Sequence, residues 1–327
     1  MDVATNYEGS YLSTVIANAD GTGQQNLPIP QGWSGPVNPV WSPDGSKLLV
    51  TMLEAGMPPL RAAVINPDGS GFRVLTPGKS DTPLACSAWS PNGSRLLCSV
   101  DRSGLEGIVS IGVDGMGLTR LTRSPFHDTL GSAGECGGGD SEADYSPDGT
   151  QFVFMRKRCG TGPAPFRDEA GTLYVANTDG TGLRQITKYG QADSHPGGSV
   201  HWSPDGTEIL FASQDHQLRL VHPDGTAMTG INLPPGNAKG PAWSPDGRWI
   251  VFSLARPESA GVAQWGWPTS TGPGRTAAIS LRCRTPRTRT TSSAGAGRPG
   301  HDRPKATLGS LDAPAAGPSG SWRTGAA

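Results

Sequence analysis

Short apolar runs bounded by Pro, Asp, Asn and Gly recur along most of the chain. Five of them follow a Ser-Pro-Asp-Gly or Ser-Pro-Asn-Gly string, and they read KLLVTM, RLLCSV, QFVFMR, EILFAS and RWIVFS. Runs of this length that are closed by turn residues predict β-strands rather than helices. The chain is therefore predicted to be a succession of short strands joined by tight turns.

The string before each run is a repeat that opens with an aromatic residue. Its copies begin at Trp41, Trp89, Tyr145, Trp202 and Trp243. In such a turn Pro presets φ, Asp or Asn bonds its own backbone, and Gly takes the positive φ. We expect the aromatic residue to pack in the core between repeats rather than to form a ligand platform. The other motif residues are Asp44, Gly45, Asp148, Gly149, Asp205, Gly206, Asp246 and Gly247.

Two further patterns complete each unit. The first reads STVIANADGTG, AAVINPDGSG, IVSIGVDGMG, LYVANTDGTG and LRLVHPDGTA, and a closing Leu-Thr or Ile-Thr follows at Thr76, Thr122 and Thr187. The Asn-x-Asp-Gly strings lack the spaced carboxylates and final Glu of an EF-hand loop, so they predict hairpin turns rather than calcium sites. Four antiparallel strands in a repeat of about 40–50 residues are typical of a β-propeller blade.

The ordered recurrence of WSPDG and DGTGLRQIT resembles the repeat of the TolB family, over about residues 11 to 255. This resemblance implies a six-bladed β-propeller, and TolB itself is periplasmic and works with the peptidoglycan-associated lipoprotein. TolB also carries an N-terminal α/β domain, for which there is no room before Tyr11, so TolB's specific role does not follow. We predict an all-β propeller of about six blades of four antiparallel strands over residues 1–262, with the last blade incomplete.

Residues 263–327 differ from the rest in composition. From Trp267 onward there is no Val, Phe, Tyr, Met or Glu, and this segment contains eight Arg and one Lys but only two Asp. The preceding residues contain 18 basic and 26 acidic side chains. The formal net charge of −1 therefore averages an acidic body and a basic tail. Without periodic apolar residues the tail is predicted to be a disordered, low-complexity segment. A basic arm for an acidic partner is one alternative.

A reading-frame shift is another explanation of the tail. In the shifted frame, each new codon consists of the last base of one codon and the first two bases of the next. Read in this way, the codons of Trp267 and Pro268 encode Ala, and the codons that follow permit Asp-Ile-Tyr. The frame then permits Asp-Gly-Ser five positions after that Tyr, which is the spacing from Tyr174 to Asp179 in an intact repeat. The alternative hypothesis is a truncated or frameshifted product without an intact function.

The cysteines suggest a compartment. Cys86 and Cys98 flank Trp89, and Cys136 and Cys159 flank Tyr145. When positions are counted from the aromatic residue, the two positions of a pair add up to nearly the same value in both pairs, as is expected for residues opposite each other in the same kind of hairpin. Each pair can therefore lie across a hairpin within disulfide reach. Disulfides favour a periplasmic or extracellular location, although no signal peptide is visible. Four free thiols are the other possibility.

In antiparallel up-and-down order the SPDG and DGTG turns share one face, and the remaining loops share the other. Loops on a rigid scaffold are where binding usually resides. This face is a candidate for protein docking, for a divalent-metal or carbohydrate site, or for solvated loops with Asp turn caps. Its candidate binding residues are Asp81, His127, Asp128, Asp193, His195, Asp215 and His216, and the long loop after Phe154 adds Arg156 and Arg158.

No catalytic motif stands out. The sequence has no GxSxG nucleophile elbow, no P-loop, no GxGxxG after a strand and no compact metal-ligand motif, so we predict no catalytic, cofactor or metal residues. No apolar run is long enough for a spanning helix, and the charge balance argues against nucleic acid. We expect a monomeric, exported, non-catalytic propeller that binds a protein or cell-envelope ligand. The alternative enzyme is a metal-dependent carbohydrate lyase or hydrolase.

The frame hypothesis predicts that the coding DNA holds a propeller-like reading frame beyond about Pro257. Sequencing the DNA across this region checks it. An alternative frame that continues with a third blade strand is the expected result. The hypothesis is wrong if neither alternative frame encodes such a sequence.

Overall fold

The computed structural model describes residues 2–8, 11–18, 22–54, 57–75, 84–100, 106–125, 139–158, 170–193, 199–255 and 277–282. In this part of the chain, 22 strands form six antiparallel sheets and there is no helix. The chain divides into the units Met1–Thr285 and Pro286–Ala327, and all six sheets lie in the first. The predicted all-β class with antiparallel pairing is confirmed.

The sheets follow one another in chain order. Sheet 1 consists of β1 (Asp2–Glu8), β2 (Tyr11–Ala17) and β3 (Gln25–Asn26), and sheet 2 of β4 (Trp33–Trp41), β5 (Leu48–Glu54), β6 (Met57–Ile65) and β7 (Arg73–Val74). Sheet 3 consists of β8 (Ala85–Trp89), β9 (Arg95–Val100), β10 (Gly107–Gly112) and β11 (Thr119–Arg120). In each sheet, consecutive strands are neighbours, so the connections are hairpins.

Sheets 4 and 5 repeat the same order. Sheet 4 consists of β12 (Gly139–Tyr145), β13 (Gln151–Arg158), β14 (Ala170–Asn177) and β15 (Arg184–Gln185). Sheet 5 consists of β16 (Val200–Trp202), β17 (Ile209–Ala212), β18 (Leu218–Val221) and β19 (Thr229–Gly230), and sheet 6 of β20 (Asn237–Trp243), β21 (Trp249–Ala255) and β22 (Ala277–Arg282). Both the number of propeller blades and the closure of a ring remain predictions.

The structure differs from the sequence prediction at two places. β1 pairs with β2 along its whole length, although the first predicted strand began only at Tyr11. The repeat pattern missed β1 because no SPDG turn adjoins this strand. β22 pairs with β21 inside the segment predicted to be disordered. The short run AAISLR was overlooked there because the surrounding composition is poor in large apolar residues. The disorder of the remaining tail lies outside the described residues.

The SPDG turn is held by its serine as much as by Pro, Asp and Gly. Ser42 Oγ donates to Asp44 Oδ1 at 2.6 Å and accepts from the backbone N–H of Lys47 at 2.9 Å. Asp44 Oδ1 also accepts from the backbone N–H of Ser46 at 3.0 Å, and Gly45 has a φ of 70°. In the three other SPDG turns, Ser146, Ser203 and Ser244 form the same two hydroxyl bonds. The hydroxyl of Ser146 also lies 3.0 Å from the carbonyl oxygen of Gln151.

The turns of consecutive sheets stack on one another. A Cβ added to Gly149 would lie 3.5 Å from the ring of Pro91, and one added to Gly206 would lie 3.7 Å from Pro147. These distances are ordinary van der Waals contacts, so the positive φ explains why Gly ends each turn. Between sheets 2 and 3 the indole of Trp89 donates to the carbonyl of Val40 at 3.0 Å.

The closing threonines tie the fourth strand to the third. Thr122 Oγ1 accepts from the backbone N–H of Ile108 at 2.8 Å, and Thr187 Oγ1 accepts from that of Leu173 at the same distance. Both threonines are buried. The Leu-Thr pattern is therefore a strand-to-strand tie, whereas Thr76 lies outside the described residues.

The hydrophobic core lies between sheets. Each of its five clusters combines residues of two neighbouring sheets, from sheets 1 and 2 to sheets 5 and 6. Trp89, Tyr145 and Trp202 are buried, and Trp41 and Trp243 pack against these clusters. All five motif aromatics therefore contribute to the core, as the sequence predicts.

One of the two expected disulfides is present. Cys86 and Cys98 lie opposite each other on β8 and β9, with their Cα atoms 3.7 Å apart, and their sulfurs are bonded. Both residues are buried in the core between sheets 2 and 3. Cys136 and Cys159 lie outside the described residues.

The turn aspartates predict a dependence of stability on acid. Hydrogen bonds from Ser42 and Ser46 lower the pKa of Asp44 to about 2, and those from Ser244 and Arg248 lower the pKa of Asp246 to about 2. A carboxyl group with a lowered pKa in the folded state stabilises the protein above its unfolded-state pKa near 4. This stabilisation is lost as the pH falls from about 4 to about 2.

Sheet 3 supplies the matched variant, because Asn92 makes the same turn bonds without a charge: its Oδ1 accepts from Ser90 Oγ at 2.8 Å. We expect Asp44→Asn/Asp246→Asn to fold at pH 7 and to show a shallower loss of stability between pH 4 and 2. Urea midpoints measured across this range test the expectation. An acid dependence as steep as that of the parent protein would contradict it.

Candidate functional site

The six sheets share two ends. The turn end carries the SPDG and DGTG turns, and the loop end carries the connections between sheets and the hairpins between second and third strands. Asp193 and His216 at the loop end are brought together by the structure, and Asp215 directly precedes His216 in sequence. Asp81, His127, Asp128 and His195, which the sequence places at the same end, lie outside the described residues.

Asp193 lies in the connection from sheet 4 to sheet 5. Ala192 bridges Gly171 of β14 and Ser213 beyond β17, and the backbone N–H of Asp193 donates to the carbonyl of Ala212 at 2.9 Å. The Asp193 side chain is buried, and its Oδ2 lies 3.6 Å from Nδ1 of His216. The approach of the two residues therefore depends on the bonds that hold this connection to the end of β17.

His216 is placed by a tight turn between β17 and β18. Its backbone N–H donates to the carbonyl of Ser213 at 2.8 Å, and its φ is 59°. This left-handed conformation is uncommon for residues other than Gly, although His adopts it more often than most side chains. The carbonyl of His216 accepts from the N–H of Ala238 at 2.9 Å, which links the turn to sheet 6.

Asp215 is engaged within the same hairpin. Ser213 Oγ hydrogen-bonds Oδ1 of Asp215, and Arg219 Nη2 donates to Oδ2 at 2.6 Å. Burial raises the pKa of Asp215, but the bonds from Ser213 and Arg219 outweigh it and hold the pKa below its usual range. Asp215 therefore acts as a turn cap and ion-pair partner in this structure.

A narrow cleft separates sheets 4 and 5 at the loop end. Its volume is about 10 Å³, which is room for about one water molecule. The lining combines the carboxyl-bearing residues Glu142 and Asp193 with mostly apolar residues. The full lining consists of Glu142, Met155, Leu173, Ala192, Asp193, Ser199, Val200, Phe211 and Ala212.

Glu142 is a site residue that the sequence analysis missed. It lies in a β-bulge of β12, between Ser141 and Asp144, and has a φ of 53°. Burial raises the pKa of its carboxyl group, against the opposing charges of Lys157 and His201. A Glu in this conformation is an outlier, and such outliers concentrate at functional sites.

A signal for Glu142 was present in the repeat. Residues three before the motif aromatic also take positive φ at Asn38 (51°) and Gly240 (57°). Asn and Gly tolerate this conformation well, whereas Glu does not. An aligned repeat would therefore have marked Glu142 as the unexpected residue at a turn-like position.

His201 lies near the carboxyl groups of Asp144 and Glu142. Its Nδ1 is 3.6 Å from Asp144 Oδ2, which also accepts from the backbone N–H of Trp202 at 3.0 Å. Burial lowers the pKa of His201, but the hydrogen bond and charge of Asp144 and the charge of Glu142 outweigh it and raise the pKa. His201 of sheet 5 is thus paired electrostatically with carboxyl groups of sheet 4.

The opposite face of sheet 4 holds a buried ion pair. Arg156 Nε donates to Asp140 Oδ1 at 2.6 Å and its Nη2 donates to Oδ2 at 2.7 Å. Thr122 Oγ1 of the preceding sheet donates to the same Oδ2 at 2.6 Å. The Arg156 guanidinium also lies 4.8 Å from the ring centre of Tyr174. This arginine therefore joins sheets 3 and 4 rather than facing solvent.

Arg158 continues the same side of β13 toward the loop end. Its guanidinium lies 4.3 Å from the ring centre of Tyr189, and the residue is exposed. Burial and the neighbouring Tyr174 raise the pKa of Tyr189 to about 12. Arg158 and Tyr189 thus present a cation–aromatic pair at the surface.

Within the described part of the chain, no three His, Cys, Asp or Glu side chains are grouped so that they could hold a metal ion. Asp193 and His216 provide two of the residue types that bind divalent metals. The predicted His127 and His195 lie outside the described residues, so the arrangement supplies a carboxylate–imidazole pair.

No protein-family model matches the chain, and no curated protein is significantly similar to it. Among solved structures it resembles a protein described as TolB from Agrobacterium tumefaciens, with a TM-score of 0.53 and 20% identity over 78% of this chain and 79% of that one. TolB from Acinetobacter baumannii gives a TM-score of 0.52 and 16% identity over 76% of this chain and 55% of that one.

An oligogalacturonate lyase in complex with manganese is similar to the same degree. Its TM-score is 0.53, at 15% identity over 77% of this chain and 70% of that one. At these identities the likeness concerns the fold alone. It supports a TolB-like β-propeller fold for the six sheets.

The geometry of the buried ion pair predicts that Arg156 is structural. Removing one partner leaves an uncompensated buried charge, so Arg156→Leu should cost about 3–5 kcal/mol of unfolding free energy. The double variant Asp140→Leu/Arg156→Met, which removes both charges, should recover much of this loss. Urea unfolding of the two variants and the parent protein measures the difference. Equal losses in the single and double variants would contradict this role.

Proposed function

We propose that the protein is an exported, non-catalytic β-propeller that binds a protein or cell-envelope ligand through its loop end. The observation that carries this proposal is the contrast between the two ends. At the turn end the carboxyl groups are engaged in their own turns. At the loop end a cleft and a cation–aromatic pair bring unlike polar groups together from neighbouring sheets.

The turn end is uniform. In the second set of turns, hydrogen bonds from Ser70 and Thr181 lower the pKa of Asp68 and Asp179, as the SPDG turns do for their own aspartates. Groups that are committed to identical local bonds in each sheet offer little basis for recognising one particular partner. This end therefore serves the stability of the fold.

The loop end is irregular. Glu142 and Asp193 line one cleft, and His216 lies 3.6 Å from Asp193. Arg158 and Tyr189 lie exposed or half-buried on the other side of sheet 4. Recognition sites commonly lie on loops that a rigid scaffold positions. A partner that docks over this end would meet both charge signs and an aromatic ring.

Two features support export. The Cys86–Cys98 disulfide is of a kind that persists in oxidising compartments. The fold resembles that of TolB proteins. We therefore propose a periplasmic or extracellular location.

A metal-dependent carbohydrate-active enzyme is the second candidate, and the similarity to a lyase in complex with manganese favours it. In that case Asp193 and His216 would supply two metal ligands, and His127 or His195 would have to complete the set. Metal analysis of the purified protein and turnover of oligogalacturonate separate the candidates. Stoichiometric manganese with turnover would support the enzyme and contradict the binding-only function.

The binding function is tested by cosedimentation with an isolated bacterial cell-envelope fraction. We expect His216→Gly and Arg158→Ala to weaken binding about tenfold, the effect of losing a contact worth about 1.4 kcal/mol. Gly suits the positive φ of residue 216, so the first variant should fold.

Turn-end variants at exposed apolar residues, Met116→Ala and Leu183→Ala, are the matched controls and should bind as the parent protein does. Binding that is lost equally from both ends, or no binding by the parent protein, would overturn the proposal.

A further inference from the structure

One side of β13 carries aromatic rings and then two arginines. Phe152 and Phe154 lie in the core between sheets 3 and 4, with their ring centres 5.6 Å apart. Arg156 and Arg158 follow on the same side, because successive residues of a strand alternate between its two faces. Lys157 lies between them on the other side, where its charge acts on Glu142. This row of side chains leads from the buried core to the loop end.

The two arginines differ in what engages them. Arg156 is buried, and its guanidinium donates to both oxygens of Asp140 and to the carbonyl of Arg123 at 3.3 Å. Arg158 is exposed, and its guanidinium lies 4.3 Å from the ring centre of Tyr189. Within the described residues, no hydrogen bond or ion pair occupies the N–H groups of Arg158. The inner arginine therefore holds sheets together, whereas the outer one keeps its donors for another group.

The ring beside Arg158 lies on a turn that is fixed at both ends. The backbone N–H of Lys188 donates to Oε1 of Gln191 at 2.7 Å, and that of Gly190 donates to the carbonyl of Gly171 at 3.0 Å. A cation–aromatic contact restrains a guanidinium without using its N–H donors, which form a planar fork that matches a carboxylate. Arg158 is thus positioned in advance, which reduces the entropic cost of binding.

Two further cations lie near this pair. Lys188 directly precedes Tyr189, and the main chain of Arg123 contacts Arg156, two residues before Arg158. Both side chains are exposed, and neither forms an ion pair within the described part of the chain. We call Arg123, Arg158 and Lys188 the basic corner.

The basic corner has the opposite sign to the body of the protein. The residues before Trp267 contain 18 basic and 26 acidic side chains. Complementary charge steers a partner to the matching patch and disfavours other placements. A long polyanion would extend from the corner over the acidic body and be repelled there. A short acidic segment could pair with the corner alone.

We propose that the basic corner binds an acidic segment of a partner protein. A carboxylate of this segment accepts two N–H groups of Arg158, and neighbouring carboxylates face Arg123 and Lys188. The inference names the chemistry of the partner and rests on the proposed binding function of the loop end.

Fluorescence anisotropy with a short labelled peptide that alternates Glu and Ser tests the proposal. The peptide should bind the parent protein, and the affinity should fall as NaCl is raised, because salt screens exposed charges. Its Gln/Ser counterpart should bind at least about tenfold more weakly, since the amide has no charge to pair with the guanidinium.

Variants locate the contact. Arg158→Ala should weaken peptide binding about tenfold, and Arg158→Lys should give an intermediate loss, because it keeps the charge without the planar fork. Arg184→Ala removes an exposed arginine of β15 at the turn end and is the matched control, which should bind as the parent protein does. Equal binding of the two peptides, or equal losses in Arg158→Ala and Arg184→Ala, would overturn the proposal.

Competition separates this inference from the proposed function. The Glu/Ser peptide should reduce cosedimentation of the parent protein with the cell-envelope fraction. Envelope binding that the peptide leaves unchanged would overturn the acidic segment while the proposed function stands. If no envelope fraction binds, the proposed function fails, and the peptide titration by itself supports or overturns the acidic segment. Tighter binding of oligogalacturonate than of the peptide would replace the protein partner by an anionic saccharide and overturn the proposal.

Discussion

The structure depends on the packing of each sheet against its neighbours, because in the described part of the chain every core cluster is shared by two sheets. Second-strand residues alternate between the preceding and the following sheet, so that Leu210 packs toward sheet 6 while Phe211 packs toward sheet 4. An apolar residue on either side must be covered to contribute to stability. A unit that cannot bury its faces alone is stable only in a stack, which is the physical basis of repeat architectures.

The turn end and the loop end follow from this constraint. In the described residues, each SPDG turn after the first lies at van der Waals distance from the Pro of the turn before it. The connections between sheets, such as the one that contains Asp193, lie at the opposite end. The cleft with Glu142 and the pair of Asp193 and His216 exist only because sheets 4 and 5 are packed together.

The sequence predicts those parts of the fold that local chemistry determines. The turns, the strand order and the Cys86–Cys98 pairing depend on residues near one another in the chain, and their spacing is visible. The ion pair of Arg156 and Asp140 was not predicted, since nothing in the sequence shows that Arg156 turns inward between two sheets. Glu142 was missed because its significance lies in a backbone conformation that Glu rarely adopts.

Recognition at the loop end, rather than at the turn end, is tested by photo-cross-linking. A photoreactive amino acid replaces the exposed Gln214, two residues before His216 at the loop end, in one variant and Thr181 at the turn end in another. Each variant is irradiated with a bacterial cell-envelope fraction, and the products are identified by mass spectrometry. We expect a defined cross-linked partner from position 214 and none from position 181. Cross-links from position 181 alone, or the same partners from both positions, would rule out recognition at the loop end.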